Sequence, residues 1–276
     1  MKILFIGDIV GRPGRDCLFL RYQKIKDKFG ISFSIVNVEN AAGGFGITPK
    51  IADSFLSLGI DVMTSGNHIW DKKEIIEYIK IENRLLRPAN YPSDVPGRGG
   101  CIAKTANGLK VGVLNLCGRV FMDSVDCPFR IAESEIAKLK NKTNILIVDF
   151  HAEATSEKIA MGWFLNGKVS AVIGTHTHVR TCDAQILSKG TAYITDVGMT
   201  GPFDSVIGIE KEIIIERFLS QMPKRFVPAK GDIRLSAVII DIDEKSGKAL
   251  SIHPLENKVY GNLNLDIEEN GASFKS

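Results

Sequence analysis

No two of the five cysteines, Cys17, Cys101, Cys117, Cys127 and Cys182, stand at C-x-x-C spacing, and their number is odd. A disulfide framework or a thiolate zinc knot is therefore not expected, and the chain reads as a reduced, cytoplasmic protein. Long apolar runs are also missing. The short stretch from Lys2 to Ile6 is too brief for a signal peptide and is followed by no small-residue cleavage pattern, and no later segment reaches the length of a membrane span, so neither export nor membrane insertion is expected. Charge of one sign is equally scarce: 35 basic and 32 acidic side chains, spread without long runs, leave a formal net charge of +3. That balance gives no footprint for a long nucleic acid or a membrane surface, while a small anionic ligand stays allowed. Repeats, low-complexity tracts and Pro/Ser-rich linkers are absent too. With 276 residues and 44% hydrophobic content, the chain can bury a full core, and one domain over 1–276 is the expectation. Nothing in the composition points to an oligomeric state.

What is present is an alternation of strands and helices. Lys2 to Ile6 reads as a buried strand. Pro13 opens a helix with Leu18, Tyr22, Ile25 and Phe29 at helical spacing, and Gly30 stops it. Phe33 to Val38 is a second strand; Thr48-Pro49 caps and opens a helix that ends at Gly59; Asp61 to Thr64 is a short strand. Asp71 is read as the N-cap of a helix over Lys72 to Lys80. The middle turns antiparallel, with Gly100 to Thr105 and Leu109 to Leu116 flanking the hairpin signal Asn107-Gly108. A helix over Pro128 to Lys140, a strand over Asn144 to Phe150, a helix over Thr155 to Asn166 and a strand over Val169 to Ile173 follow. Two further hairpins join Ala184 to Leu187 with Ala192 to Thr195, and Leu235 to Ile242 with Ala249 to Ile252. The pattern predicts an α/β fold of two halves whose sheets pack face to face with helices outside.

The chemistry-bearing residues collect at strand ends. Asp8, Glu39, Asn40, Asn67, His68, His151, His176 and His178 each fall at or just after the C-terminal end of an expected strand, where open α/β sheets place their sites. Each alone has a plain structural reading: Asp8 bracing the turn to Gly11, Asn67 in an Asx-turn, Glu39-Asn40 as solvated loop. Four of five histidines arriving at one edge with two carboxylates and two amides favours a shared site. Strand alternation would send His176 and His178 off one side, with Cβ atoms roughly 6 to 7 Å apart, to converge on one ion or to spread over two. Oxygen and imidazole donors without thiolate suit Fe, Mn or Zn. The seven candidate ligands, Asp8, Glu39, Asn40, Asn67, His151, His176 and His178, exceed one tetrahedral shell. Two ions about 3.5 to 4 Å apart would use them, and such pairs serve displacement at phosphorus.

The segments Gly7-Asp8-Ile9-Val10-Gly11-Arg12-Pro13-Gly14, Asn37-Val38-Glu39-Asn40-Ala41-Ala42-Gly43-Gly44 and Thr64-Ser65-Gly66-Asn67-His68-Ile69-Trp70-Asp71, followed by His151 and Gly174-Thr175-His176-Thr177-His178, resemble the dispersed motifs of the binuclear metallophosphoesterase superfamily. Within it they resemble the YmdB-type branch of bacterial phosphodiesterases acting on 2′,3′-cyclic nucleotides. The resemblance spans Met1 to about Ile252. It implies two facing mixed β-sheets flanked by helices, a four-layer αββα sandwich. Asp8-Ile9-Val10 lacks the histidine of the general Asp-x-His motif, and Val38-Glu39-Asn40 replaces a bridging Asp; the branch shares both changes. The resemblance therefore implies Glu39 as the bridge, Asp8, Asn40 and His178 on one ion with it, and Asn67, His151 and His176 on the other. Iron is the implied metal, with Mn or Zn compatible with the donor set.

In the implied reaction, a hydroxide bridging the ions attacks phosphorus and His68 gives a proton to the leaving oxygen. A hydrogen bond from His68 to the ligand shell is the plainer alternative for that residue. The implied partner is a small cyclic-nucleotide phosphodiester. A phosphomonoesterase or protein phosphatase on the same ions, and a regulatory protein that binds a nucleotide without hydrolysis, are the other functional readings. The loop Ala41 to Gly46 reads either as a glycine-rich turn or as a lid that offers Phe45 for base stacking. Arg12 and Asp196 to Pro202 carry no assigned role, His253 is read as structural, and the cysteines as small core residues.

Overall fold

The computed structural model describes residues 1–258; the last part of the expected domain, residues 259–276, lies outside the described residues. In chain order the first half consists of β1 (Lys2–Ile6), α1 (Gly11–Phe29), β2 (Phe33–Asn37), α2 (Pro49–Leu58), β3 (Val62–Thr64), α3 (Ile75–Ile81), β4 (Gly100–Lys104) and β5 (Lys110–Cys117). The second half consists of α4 (Pro128–Lys140), β6 (Leu146–His151), α5 (Thr155–Leu165), β7 (Ala171–Thr175), β8 (Gln185–Ile186), β9 (Ala192–Ile194), β10 (Gly201–Pro202), α6 (Lys211–Ser220), β11 (Ile233–Ile242) and β12 (Ala249–Lys258).

Local sequence explains most of these boundaries. Gly30 takes φ 65° at the end of α1, and Gly59 takes φ 95° at the end of α2, the left-handed cap that a side chain disfavours. The Thr48 hydroxyl accepts from the Ile51 amide at 3.4 Å, with Pro49 in the first turn. The expected helix over Lys72 to Lys80 is corrected to α3, which starts at Ile75. Residues 68–75 turn tightly instead, with the Asp71 amide donating to the His68 carbonyl and the Ile75 amide to that of Lys72. Asp71 therefore has no helix to cap, and its carboxylate faces the His68 ring at 3.0 Å. Helix α6 and strand β10 lie outside the elements expected from sequence. Helix α6 carries Ile214, Ile215, Phe218 and Leu219 at helical spacing, yet only Ile214 is buried, so most of its apolar residues are open to solvent.

Two six-stranded sheets result. One runs β10-β11-β1-β2-β3, with β12 paired to β11; the other runs β4-β5-β6-β7-β9-β8. In the first, β1, β2 and β3 are parallel and β11 is antiparallel to β1; in the second, β5, β6, β7 and β9 are parallel and β4 and β8 antiparallel. Strand alternation divides each apolar run between two layers. Ile3, Phe5 and Ile35 meet Val113, Ile147 and Ile173 between the sheets. Leu4, Ile6 and Val36 pack outward with Leu18, Tyr22 and Phe55 from α1 and α2. Leu116 and Val148 pack outward with Ile136 and Met161 from α4 and α5. These three apolar layers make the expected four-layer αββα sandwich of mixed sheets.

One consequence places the site. The parallel strands β1, β2, β3, β6 and β7 end at the same edge. Beneath that edge a polar stitch crosses between the sheets: Asn37 on β2 donates to Asp149 on β6 at 2.9 Å, Thr64 on β3 donates to it at 2.5 Å, and Thr175 on β7 at 2.7 Å. Burial raises the Asp149 carboxyl to about 6 despite these donors.

Candidate active site

All eight predicted residues meet at this edge. Asp8, Glu39, Asn40, Asn67 and His68 follow strands of the first sheet, while His151, His176 and His178 end or follow strands of the second. Glu39, His151 and His176 each offer a ligand atom within 4.8 Å of the others, and so do Asp8, Glu39 and His178. Glu39 belongs to both groups. The two amides complete them: Asn67 Oδ1 stands 3.2 Å from His151 Nε2, and Asn40 Oδ1 stands 3.2 Å from His178 Nε2. His68 does not join either group. Its Nδ1 faces Asp71, and its ring meets Phe45 edge-on with centroids 4.9 Å apart.

The far sides of the three imidazoles and of Asn40 are anchored. Thr175 gives its hydroxyl proton to Asp149, so its oxygen accepts from His151 Nδ1 at 2.9 Å. His176 Nε2 lies 3.2 Å from the Glu153 carboxylate, and His178 Nδ1 donates to the Ile207 carbonyl at 2.8 Å. Asn40 Nδ2 donates to the Gly44 carbonyl at 3.0 Å, which fixes the amide so that Oδ1 faces inward. These partners set the tautomers and orientations, as they do for metal-ligating imidazoles. Sequence reasoning singles out none of Asp149, Thr175, Glu153 and Ile207. Thr175 sits inside the Gly174 to His178 motif, and Asp149 is the one acidic residue of β6, set among apolar neighbours from Leu146 to Phe150, so those two do leave a signal.

With the outer nitrogens engaged, inner lone pairs point at one another. Around His151 Nε2 stand Glu39 Oε2 at 3.0 Å, His176 Nδ1 at 3.0 Å and Asn67 Oδ1 at 3.2 Å. A single ring proton cannot satisfy three acceptors. Asp8 Oδ1 is buried and has no hydrogen-bond partner among the described residues, an arrangement that costs about 1–3 kcal/mol unless a cation balances it. Burial raises the Asp8 carboxyl well above its usual range, against His178 and His151. Burial also opposes charge on Glu39, yet His151 outweighs it and holds that carboxyl low. For His151, burial disfavours the imidazolium, but Glu39 and Asp8 prevail and raise it to about 9. The space between the carboxylates thus favours positive charge, which a proton or a divalent ion can supply. Burial and the neighbouring His151 lower His176 to about 3, which keeps it neutral as a ligand must be. The residues present fit metal ions.

Backbone geometry holds this packing. A Cβ on Gly66 would lie 2.2 Å from Glu39 Oε2 and 2.2 Å from the His151 ring, so only glycine lets the chain pass beneath the cluster. Strand alternation does not aim His176 and His178, contrary to expectation. Strand β7 stops at Thr175, and both histidines take left-handed φ, 100° and 65°. A strained turn therefore spreads them over the two groups. The His176 amide reaches Asp8 at 3.3 Å, and the Thr177 amide between them donates to Asp196 at 3.1 Å. Asp196 is in turn paired with buried Lys158 at 2.6 Å, which gives the unassigned Asp196 segment a role.

The cluster forms the floor of a cleft of about 610 Å³, whose walls include Phe45, His68, Ile207, Arg217, Phe218 and Phe226. The cysteines are all free, with Cys17, Cys101 and Cys117 buried, and no helix among the described residues is long and apolar enough to cross a membrane.

Comparison with known proteins agrees with this architecture. The chain is 52% identical over 252 residues, 91% of its length and 95% of the relative's, to the 2′,3′-cyclic-nucleotide 2′-phosphodiesterase of Bacillus subtilis (strain 168). Among solved structures, a hypothetical protein from Thermus thermophilus superposes with a TM-score of 0.87 at 39% identity, covering 94% of this chain and 99% of that one. A novel phosphatase from Mycoplasma pneumoniae superposes with a TM-score of 0.87 at 33% identity, covering 94% and 93%. A family model described as YmdB-like protein matches residues 4–255, which takes in every strand end that carries the cluster. The chain belongs to the YmdB-like protein family.

Proposed function

We propose that this chain is a phosphodiesterase that opens 2′,3′-cyclic nucleotides at a centre of two divalent metal ions, the activity carried in the name of the Bacillus subtilis relative. The supporting observation is the convergence of lone-pair donors on two groups that share Glu39, with Asp8 Oδ1 buried and without a hydrogen-bond partner among the described residues. In this reading Asp8, Glu39, Asn40 and His178 hold one ion, and Glu39, Asn67, His151 and His176 hold the other. The donor set admits Fe, Mn or Zn, and we adopt iron from the family resemblance. Bound there, such ions supply Lewis acidity towards phosphoryl oxygen and make a water acidic enough to be a nucleophile near neutral pH.

The chain's own residues do the rest. His68 gives a proton to the leaving sugar oxygen as its bond to phosphorus breaks. Asp71 accepts from Nδ1 and thereby leaves Nε2 to face substrate. Phe45 packs on the same ring and limits its rotation. Asp8, Glu39, Asn40 and His151 are all buried, so the charges of the floor are shielded from bulk solvent. Both sheets contribute to each group, which supports reading the chain as one domain. Free cysteines and balanced charge support a cytoplasmic location and a small-molecule substrate rather than a long nucleic acid.

The test combines metal analysis of purified protein with turnover of 2′,3′-cyclic AMP, 3′,5′-cyclic AMP and a phosphopeptide, repeated on Glu39→Gln. Two ions per chain, hydrolysis of the 2′,3′-diester, and loss of both in the variant are expected. Two ions and an unchanged rate in Glu39→Gln would remove the bridge. Turnover of the phosphopeptide alone would make the chain a phosphomonoesterase.

A further inference from the structure

The cleft has a second end that the phosphate chemistry does not use. Phe226 lies nearly parallel to Phe45, with centroids 6.0 Å apart and planes 24° apart, and the Arg217 guanidinium sits 4.8 Å over the Phe226 ring. Phe45 in turn meets His68. A guanidinium, two phenyl rings and an imidazole thus form one continuous ladder from α6 to the metal-facing floor.

Core packing does not account for these side chains. Phe45 and Phe226 are half-buried, while Phe218 is 73% and Ile207 51% exposed, all lining the same cleft. Apolar surface held open to water beside a polar floor is unfavourable unless something covers it. Ile207 adds an independent sign. It is β-branched yet held at φ 47°, a conformation that costs of order 1–3 kcal/mol, and its carbonyl accepts from His178. The same strained residue ties the floor to the wall.

We propose that this wall is the seat of the substrate's nucleobase, which takes the place of the Arg217 guanidinium over the Phe226 ring and leaves Arg217 and Gln221 at its polar edge; the proposal rests on the phosphodiesterase reading above. A ligand that fits both ends must carry phosphate at one and a flat, apolar-faced, hydrogen-bonding group at the other. A nucleobase has both features, whereas a sugar phosphate or a phosphoserine peptide has no π-face to offer. Stacking is tolerant of base identity because every base has a π-face, so the wall selects for the presence of a base more than for which one.

The experiment compares kcat/KM for 2′,3′-cyclic AMP with that for glycerol 1,2-cyclic phosphate, the same five-membered diester without a base, in metal-loaded wild type, Phe226→Ala and Phe226→Tyr. Wild type is expected to prefer the nucleotide. Phe226→Ala should reduce that preference by about 5- to 150-fold, chiefly through KM, the range that loss of one base-stacking ring produces, and Phe226→Tyr should restore most of it. Equal loss on both substrates, or an intact preference in Phe226→Ala, would overturn the base seat. Failure of wild type to hydrolyse either diester would count against the phosphodiesterase reading instead. Calorimetric titration with adenosine 3′-phosphate and with inorganic phosphate then decides the seat separately: selective weakening of the nucleotide in Phe226→Ala supports it, and an unchanged nucleotide affinity overturns it.

Discussion

At the floor of the cleft each imidazole is anchored on its outer nitrogen, His151 by Thr175, His176 by Glu153 and His178 by the Ile207 carbonyl, and the strand ends beneath are stitched through Asp149. The opposite wall hangs on α6, of whose ten residues only Ile214 is buried. The floor is therefore a set of atomic positions fixed by two sheets, and the wall is an apolar surface held with latitude. Phosphoryl chemistry needs the first, because misplacing a reacting group by 1 Å can cost about a hundredfold in rate. Stacking of a base tolerates the second, since offset geometries are nearly equivalent. Substitutions in the floor should thus change rate, metal content or folding, and those in the wall should change substrate preference.

His68 stands where the two regions meet, paired with Asp71 on the floor side and with Phe45 on the wall side. The largest effect is expected here. His68→Ala should lower kcat by about 10²- to 10⁴-fold, the range of a general acid, while metal content per chain stays at the wild-type value. Steady-state turnover with metal analysis of the same sample checks both halves. Loss of metal together with rate would place His68 in the ligand shell, and full activity would remove it from the chemistry.

The next effect lies deeper in the floor. Lys158 and Asp196 form an ion pair with both side chains about 1% exposed, and Asp196 also accepts from the Thr177 and Gly198 amides. Lys158→Met leaves that carboxylate buried with only amide partners. Breaking one side of such a pair costs about 3–5 kcal/mol. Urea denaturation should therefore show a large fall in the unfolding midpoint, and the turn that carries His176 and His178 should loosen with it. A midpoint close to wild type would mean that the amides alone hold the turn and that the floor is less tightly determined than its hydrogen bonds suggest.

The same contrast explains what can be read from sequence. The floor is legible because its residues follow strands whose apolar runs are unmistakable, and a site on parallel strands falls at their carboxyl ends. Asp8, Glu39, Asn40, Asn67, His151, His176 and His178 all carry donors, so chemistry and position coincide. The αββα layering follows from the same runs. The wall is not legible. Helix α6 has Ile214, Ile215, Phe218 and Leu219 at helical spacing but buries only Ile214 and carries none of the chemistry-bearing donors, and Phe226 lies in a segment without regular structure. Of the stacked pair, Phe45 alone stands in a loop that the sequence singles out, Ala41 to Gly46, and its partner comes from far along the chain. The anchoring residues Glu153 and Ile207 escape for a different reason: their roles depend on a left-handed turn after β7, which strand alternation alone does not anticipate.

That turn makes the smallest prediction the sharpest one for the floor. Glu153 is 48% exposed and pairs with the cluster at His176 Nε2. If it orients the ring, Glu153→Ala should weaken metal retention by about tenfold, the low end for the outer partner of a ligating histidine, since water can replace an exposed acceptor. Glu153→Gln, which keeps an acceptor oxygen, should recover most of that loss. A chelator titration of the metal-loaded protein measures both. Should Glu153→Ala retain its metal as wild type does, orientation of His176 would fall to its left-handed backbone and the amide contact with Asp8 alone. The rigidity of the floor would then reside in the turn itself, and the outer hydrogen bond would belong, like the wall, to the part of the cleft that tolerates change.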